Sequence, residues 1–198
     1  MNLTVDRLFE RKCIGIMGMA LPFLCWASCL LTPFKPSGWC DSMSATYYNS
    51  PVLSMGLALV AGFLFTYHGY DKADRVVNLI SAVCAMIVAL IPCSTEFTPS
   101  HVGILYLPEE ISNLIHCIAA ASLFISFVVN IMVNFTKGNS KSRNRCFYIL
   151  GSVMGLMLIV FALSIILGFK MSTFWVEVFE LELFGAAWLI KGRFYWNN

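Results

Sequence analysis

Residues 137–167 read KGNSKSRNRCFYILGSVMGLMLIVFALSIIL, a group of four basic residues followed by an almost unbroken apolar run. A helix needs about 20 apolar residues to cross a hydrocarbon core of about 30 Å. Lys and Arg typically flank such helices on the cytoplasmic side of the membrane. This stretch therefore predicts a transmembrane helix over Phe147–Leu167, with the basic group preceding it at a membrane edge.

The rest of the chain repeats this pattern. The 198 residues are 59% apolar and 12% charged, with a mean hydropathy of +0.76. Soluble domains contain about 25% charged residues, so the composition favours lipid as the main solvent. We predict one all-α domain, residues 1–198, that is an integral membrane bundle of six transmembrane helices. The predicted spans are about Cys13–Leu31, Pro51–Tyr67, Val76–Ile91, Ile111–Val133, Phe147–Leu167 and Phe174–Ile190.

The basic residues between these spans fix the predicted orientation. Of the 13 Lys and Arg residues, only Lys35 and Lys170 fall in connections on one side, and the others lie on the opposite side. Positive connections remain in the cytoplasm, so both termini should be cytoplasmic. The first apolar run is longer than the core of a signal peptide, and we expect it to be retained as a span.

The net charge limits the kinds of partner that the protein is expected to bind. The net charge is +2, and the cations mark membrane edges, so membrane lipids are expected partners and nucleic acid is not.

Cys40 and Cys93 fall on the predicted outer side and could form a disulfide in an oxidising compartment. Gly151 and Gly155 are one helical turn apart, a spacing that allows close helix approach and a possible oligomer contact, although glycine can also simply be tolerated there.

Ionisable residues inside spans are costly and usually face the bundle interior. Glu177, Glu180 and Glu182 lie in the sixth predicted span, and His116 enters the fourth span from the same side at a depth similar to Glu177. We predict a hydrogen bond between His116 and Glu177. It could be a structural clasp, an acid/base pair or part of a proton-coupled site.

The segment before the second span falls on the same predicted outer side. Its tyrosines could form an interfacial aromatic belt or line a polar cavity above the buried His and Glu. The resulting hypothesis is an outward-opening pocket for a small or lipid-derived ligand. Its candidate residues are Ser44, Tyr47, Tyr48, His116, Glu177 and Glu180.

Two further sites have simpler interpretations. Asp71 or Asp74, in the turn before the third span, can cap that helix. The predicted topology separates His68 from His101 and His116, and the chain has no HxxxH or HExxH spacing. We therefore expect no metal cofactor, although zinc held by His101, His116 and a glutamate remains open.

Three motifs resemble a family of small bacterial membrane proteins of unknown function. Residues 42–48 (SMSATYY) resemble its SISAYYYT-type stretch, and residues 67–74 (YHGYDKAD) are similar to its Y-K-G-Y-D-x-x-D turn. Residues 175–177 (WVE) and 184–192 (FGAAWLIKG) resemble its closing signature, and His116 matches its single late histidine. The resemblance implies a six-span protein of a bacterial cytoplasmic (inner) membrane. It selects the residues Ser44, Tyr47, Tyr48, Asp71, His116 and Glu177.

The departures from that family concern His68, which stands where the family has lysine, and Glu180 and Glu182, which replace apolar positions. A weaker likeness is to membrane hydrolases related to alkaline ceramidase, which hold zinc with histidines that this chain does not pair. Several functions therefore stay open beside ligand binding. They are a membrane hydrolase in which His116 or Glu177 activates water, a proton-coupled carrier that uses the three glutamates, and a structural subunit of a membrane complex.

Overall fold

The structure is a computed structural model that describes residues 3–32, 41–137, 141–169 and 171–193. Within these ranges the chain is helical, apart from short connections and one small hairpin, which confirms the all-α prediction. A 3₁₀-helix (Ser44–Tyr48) precedes α2, and a π-helical segment (Asn130–Asn134) continues α4. The α-helices are α1 (Leu3–Leu31), α2 (Val52–Thr66), α3 (Lys72–Leu90), α4 (Glu109–Val129), α5 (Lys141–Leu167) and α6 (Thr173–Lys191).

The hairpin between α3 and α4 consists of two antiparallel strands, β1 (His101–Val102) and β2 (Leu107–Pro108). Its turn contains Gly103 and Tyr106, both with positive φ. The amide of Glu109 donates to the carbonyl of Ser100 at 3.0 Å and closes the hairpin at the start of α4. The hairpin therefore lies directly on the helical bundle.

In the described part of the chain, four helical segments are long and apolar enough to cross a membrane. They correspond to α1, α3, α5 and α4 with its π-helical continuation. The other two predicted spans fall on α2 and α6. With 15 residues, α2 is about 22 Å long, shorter than a typical hydrocarbon core. The longer α6 carries three glutamates.

One end of the bundle gathers basic side chains and the loops around them. Arg11 of α1 donates to the Tyr67 hydroxyl, just after α2, and to the carbonyl of Lys191, at the end of α6. The Lys191 ammonium in turn donates to the carbonyl of Phe135, after α4, and lies over the ring of Phe147, near the start of α5. We call this the basic end.

At the opposite end of the bundle, which we call the tyrosine end, hydrogen bonds connect the other helix termini. The hydroxyls of Ser28, near the end of α1, and Ser50, just before α2, are 2.7 Å apart. Tyr48 contacts the segment after α3, and the amide of Phe174 at the start of α6 donates to the carbonyl of Asp41. Successive helices therefore run in opposite directions through the bundle.

Glycines set the closest helix contacts. A Cβ added to Gly185 of α6 would lie 2.7 Å from the carbonyl oxygen of Gly15 and 2.8 Å from the amide nitrogen of Met19, both in α1. The two backbones can approach this closely only because no side chain lies between them. Gly151 of α5 similarly packs against Met132 of the same chain. Gly151, one of the two glycines spaced by one helical turn, therefore makes a contact within the chain. An oligomer contact through Gly151 and Gly155 stays a prediction.

The Gly185→Ala substitution should separate α1 from α6, because backbone atoms cannot move aside as a flexible side chain can. We expect a loss of about 1–3 kcal/mol in the free energy of unfolding. The matched control is Gly62→Ala in α2, since a Cβ there meets nothing within 4 Å. Unfolding of the detergent-solubilised protein, followed by circular dichroism, measures both. Equal stability of the two variants would contradict this contact.

Candidate functional site

The carboxylate of Glu177 holds the segment before α2 against α6. It accepts hydrogen bonds from the backbone amide of Met43 at 2.6 Å and from the Ser44 hydroxyl at 3.1 Å. Ser44 is buried. The predicted candidates Ser44 and Glu177 are therefore brought into direct contact by the fold.

Local hydrogen bonds explain the short 3₁₀-helix that Glu177 holds. The Ser42 hydroxyl accepts from the amide of Ala45, and the Thr46 hydroxyl donates to the carbonyl of Met43. Serine and threonine form such side-chain turns readily. The turn presents Tyr47 and Tyr48 side by side, with their rings 5.3 Å apart in an edge-to-face arrangement.

The carbonyl groups that follow α3 receive side chains from neighbouring elements. Carbonyl groups at the C-cap and beyond it have no partner within the helix, and when buried they must be satisfied from elsewhere. The acceptors are the carbonyls of three consecutive residues, Ile91, Pro92 and Cys93. Their donors are, in the same order, His116 at 2.6 Å, Ser112 at 2.7 Å and Tyr48 at 2.7 Å.

These bonds assign the buried His116 and the half-buried Tyr48 a positioning role. His116 is 3% exposed, and its Nδ1 carries the proton in the bond to the carbonyl. Burial raises the pKa of Tyr48, so its phenol stays protonated and able to donate. Tyr48 thereby holds the end of α3 to the 3₁₀-helix, and His116 holds it to α4.

The predicted hydrogen bond between His116 and Glu177 is wrong. His116 binds the carbonyl of Ile91, while Glu177 binds Met43 and Ser44. The physical reason is that unsatisfied backbone groups at the end of α3 and at the start of the 3₁₀-helix take up both side chains. Similar depth in the bundle was therefore not sufficient to pair them.

A cleft of about 520 Å³ opens beside the two tyrosines. We call it the tyrosine cleft. The side-chain nitrogen and oxygen of Asn49 and the hydroxyl of Ser54 are buried and have no hydrogen-bond partner in the described part of the chain. The lining contains no charged residue among those described and consists of Tyr47, Tyr48, Asn49, Ser50, Pro51, Ser54, Ala89, Leu90 and Ile104.

Glu180, another predicted ligand residue, lies apart from this cleft. It is completely buried in α6, and neither carboxyl oxygen has a hydrogen-bond partner among the described residues. One oxygen of Glu182 is also unpartnered. A buried polar group without a partner is costly, most of all in a membrane, which marks Glu180 as a functional candidate.

The candidate zinc ligands do not come together. His101 is exposed and stacks on Tyr106 in the hairpin, whereas His116 is buried and bound to Ile91. In the described ranges, no group of three His, Cys, Asp or Glu residues is placed to hold a metal ion. Cys40 lies outside the described residues, so its disulfide with Cys93 stays a prediction.

The structure also shows a polar site at the basic end that the sequence analysis missed. The Lys137 ammonium bridges Asp71 at 2.9 Å and Asp74 at 2.6 Å. Asp71 caps α3 by accepting from the amide of Asp74, as predicted. This amide, and then Lys137, lower the pKa of Asp71, and the bond to Asp74 raises the pKa of Lys137. Asp71 and Lys137 are therefore charged at neutral pH.

A row of buried asparagines continues this site into the bundle. Asn78 of α3 accepts from Asn130, whose own oxygen accepts from Asn134, and Asn134 accepts from Lys137. Asparagines within apolar runs are the sequence signal that could have revealed this site, because such residues usually bond across helices. The arrangement fixes α3 against the end of α4.

Comparison of the chain with models of protein families, with curated proteins and with solved structures finds no significant match. The likenesses to the bacterial six-span family and to the ceramidase-related hydrolases therefore stay predictions from motifs. Functional argument rests on the geometry at the two ends of the bundle.

The Glu177→Gln substitution should loosen the segment before α2, because an amide cannot accept two hydrogen bonds on separate oxygens as the carboxylate does. Hydrogen bonds to charged groups contribute about 1.5–3 kcal/mol, so amide exchange in residues 43–48 should accelerate by about tenfold to a hundredfold. Hydrogen-exchange mass spectrometry measures it. The control, Asp41→Asn, changes an exposed carboxylate in the same segment. Unchanged exchange in Glu177→Gln would refute the role given to this residue.

Proposed function

We propose that the chain is a six-pass integral membrane protein whose tyrosine cleft binds a small or lipid-derived ligand. In this proposal all six helices cross the bilayer, both termini and the basic end face the cytoplasm, and the tyrosine end lies on the other side. The family resemblance adds a bacterial cytoplasmic membrane as its location. The four helices suited to crossing and the up-and-down order support this arrangement.

The burial of polar residues in α6 supports its inclusion among the spans. Glu180 faces the interior completely, and Glu177 is bound by backbone and hydroxyl donors. Ionisable residues that avoid lipid in this way are compatible with a membrane helix. In the chain, the short α2 follows closely on the 3₁₀-helix at the tyrosine end.

The observation that carries ligand binding is the polar lining of the tyrosine cleft. Asn49 and Ser54 place buried, unpartnered amide and hydroxyl groups beside a cleft large enough for a small molecule. A ligand with hydroxyl or amide groups would supply the missing partners when the side chains of Asn49 and Ser54 turn toward the cleft. Apolar residues on the α3 side of the cleft would contact its remaining surface.

Filling the tyrosine cleft should remove the ligand. We expect a compound that co-purifies with the wild-type protein to fall at least tenfold in Ser54→Trp. Tyr47→Phe deletes one hydroxyl for which the described structure records no hydrogen bond, and it should lower retention about threefold to tenfold. Mass spectrometry of extracts from protein purified from its own membrane measures retention.

The matched control for this experiment is Leu59→Trp, which adds the same side chain at an exposed position of α2 away from the cleft. Retention in this variant should equal that of the wild type. Thermal unfolding of each variant shows that the protein is folded. If no retained compound depended on Ser54 or Tyr47, the proposed function would be wrong.

The buried carboxyl of Glu180 favours a second candidate function, proton-coupled transport. It lies three residues deeper than Glu177 on α6, and the described residues provide no cation to balance a charge there. A carboxyl group in such a place can bind and release a proton. The hydrolase alternative gains no comparable support, since His116 and Glu177 each bind a backbone group rather than each other.

In proteoliposomes with an imposed pH gradient, Glu180→Gln should slow proton uptake at least tenfold, because glutamine cannot carry the proton. A trapped pH-sensitive dye reports the rate. The control is Glu110→Gln, at an exposed position in the first turn of α4. Wild-type liposomes no faster than protein-free ones, or full uptake in Glu180→Gln, would eliminate this second candidate.

A further inference from the structure

A second cleft adjoins the tyrosine cleft. It has a volume of about 330 Å³, and all the described residues that line it are apolar. Leu90 and Ile104 belong to the lining of both clefts. The other lining residues are Val83, Met86 and Ile87 on one face of α3, Ile91 just after that helix, and Leu105 in the hairpin turn. We call it the apolar groove.

The two clefts form one surface with a change of polarity along it. The tyrosine cleft offers phenol, hydroxyl and amide groups, whereas the apolar groove offers hydrocarbon alone. From Leu90 to Val83 the groove follows α3 for about 10 Å away from the tyrosine end. A molecule that fills both parts must therefore have a polar head and an apolar tail.

The hairpin turn places an apolar surface beside the groove. Ile104, Leu105 and Tyr106 are 73%, 64% and 74% exposed. Such a continuous exposed apolar turn favours contact with lipid over contact with water. Its position at the boundary between the tyrosine end and the apolar face of α3 matches the interface of a bilayer, where a lipid chain is at hand.

The chemistry of the tyrosine cleft selects the head group. Its described lining has no Lys, Arg or His to pair with a phosphate and no Asp or Glu to pair with an amine. Its polar groups without a hydrogen bond in the described structure are the hydroxyls of Tyr47 and Ser54 and the amide of Asn49, and these suit neutral hydroxyl groups. Two tyrosine rings also provide flat surfaces of the kind that contact glyceryl or sugar carbons.

We infer that the ligand is a neutral, hydroxyl-bearing lipid whose head occupies the tyrosine cleft and whose chain lies in the apolar groove. This inference rests on the proposed function and narrows its ligand class. It also gives the hairpin turn a role, because the chain must pass Ile104, which belongs to both linings. Entry is lateral, from the leaflet on the tyrosine side.

The test uses the full-length protein in phosphatidylcholine nanodiscs with 1-monooleoylglycerol as the probe. Two photoreactive analogues carry a diazirine in the chain or on the glyceryl group. The chain analogue should label residues 83–91 and 104–105, and the glyceryl analogue should label residues 47–54. Unlabelled monooleoylglycerol should compete with both, whereas glycerol or oleyl alcohol alone should compete at least tenfold less well.

Val83→Trp is designed to block the apolar groove. It should lower labelling by the chain analogue at least tenfold. The matched control is Val76→Trp, two helical turns away on the same face of α3, where the valine is similarly exposed and outside the groove. Its labelling should stay within twofold of the wild type. Circular dichroism confirms that both variants fold.

The outcomes separate this inference from the proposed function. If Ser54→Trp abolishes labelling by the glyceryl analogue while Val83→Trp behaves like Val76→Trp, the cleft binds the head group but the chain does not lie in the apolar groove, and the inference is overturned. If neither analogue labels residues 47–54, or Ser54→Trp has no effect on either, the ligand-binding proposal also fails for this class. Loss of labelling in both Ser54→Trp and Val83→Trp supports the two together.

Discussion

A hydrocarbon environment supplies no water to a polar group, so each amide, hydroxyl or charge along these helices needs a partner within the protein. The described structure meets this requirement mainly at its two ends. At one, Lys137 joins Asp71 and Asp74 above a row of asparagines. At the other, side chains satisfy the backbone groups exposed where α3 ends. Between them, apolar contacts such as the stacked rings of Phe127 and Phe184 hold the bundle together.

The tyrosine end shows how this constraint produces a site. Tyr48, Ser112 and His116 satisfy three consecutive carbonyl groups after α3, and Glu177 satisfies the amide of Met43. These bonds occupy the side chains that would otherwise be available for chemistry. Among the described residues, Asn49 and Ser54 have buried polar atoms without a partner beside the cleft. The proposed binding role rests on these groups, which are left over once the backbone has been satisfied.

Much of the helical fold could be predicted from apolar length and basic flanks, and Asp71 was a predictable cap. The sequence also predicted that Ser44, before α2, and Glu177, in α6, lie on the same side, and the two are in contact. The partner of His116 was not predictable, because helix-end carbonyls carry no sequence signal and their position depends on how α3 packs against α4. The bridge from Lys137 to Asp74 was missed for a similar reason, since it joins residues that are distant in sequence. Buried asparagines were the available clue.

The central claim is that the basic end and the tyrosine end face opposite sides of the membrane, which requires α2 and α6 to cross it. Single cysteines at His68 and Ser172, in a background whose native cysteines are replaced by serine or alanine, measure this most directly. In intact cells, a membrane-impermeant maleimide should label Ser172→Cys and reach His68→Cys only after permeabilisation. If only α1, α3, α4 and α5 crossed, with the N-terminus still cytoplasmic, the labelling would be reversed. That reversal would contradict the account.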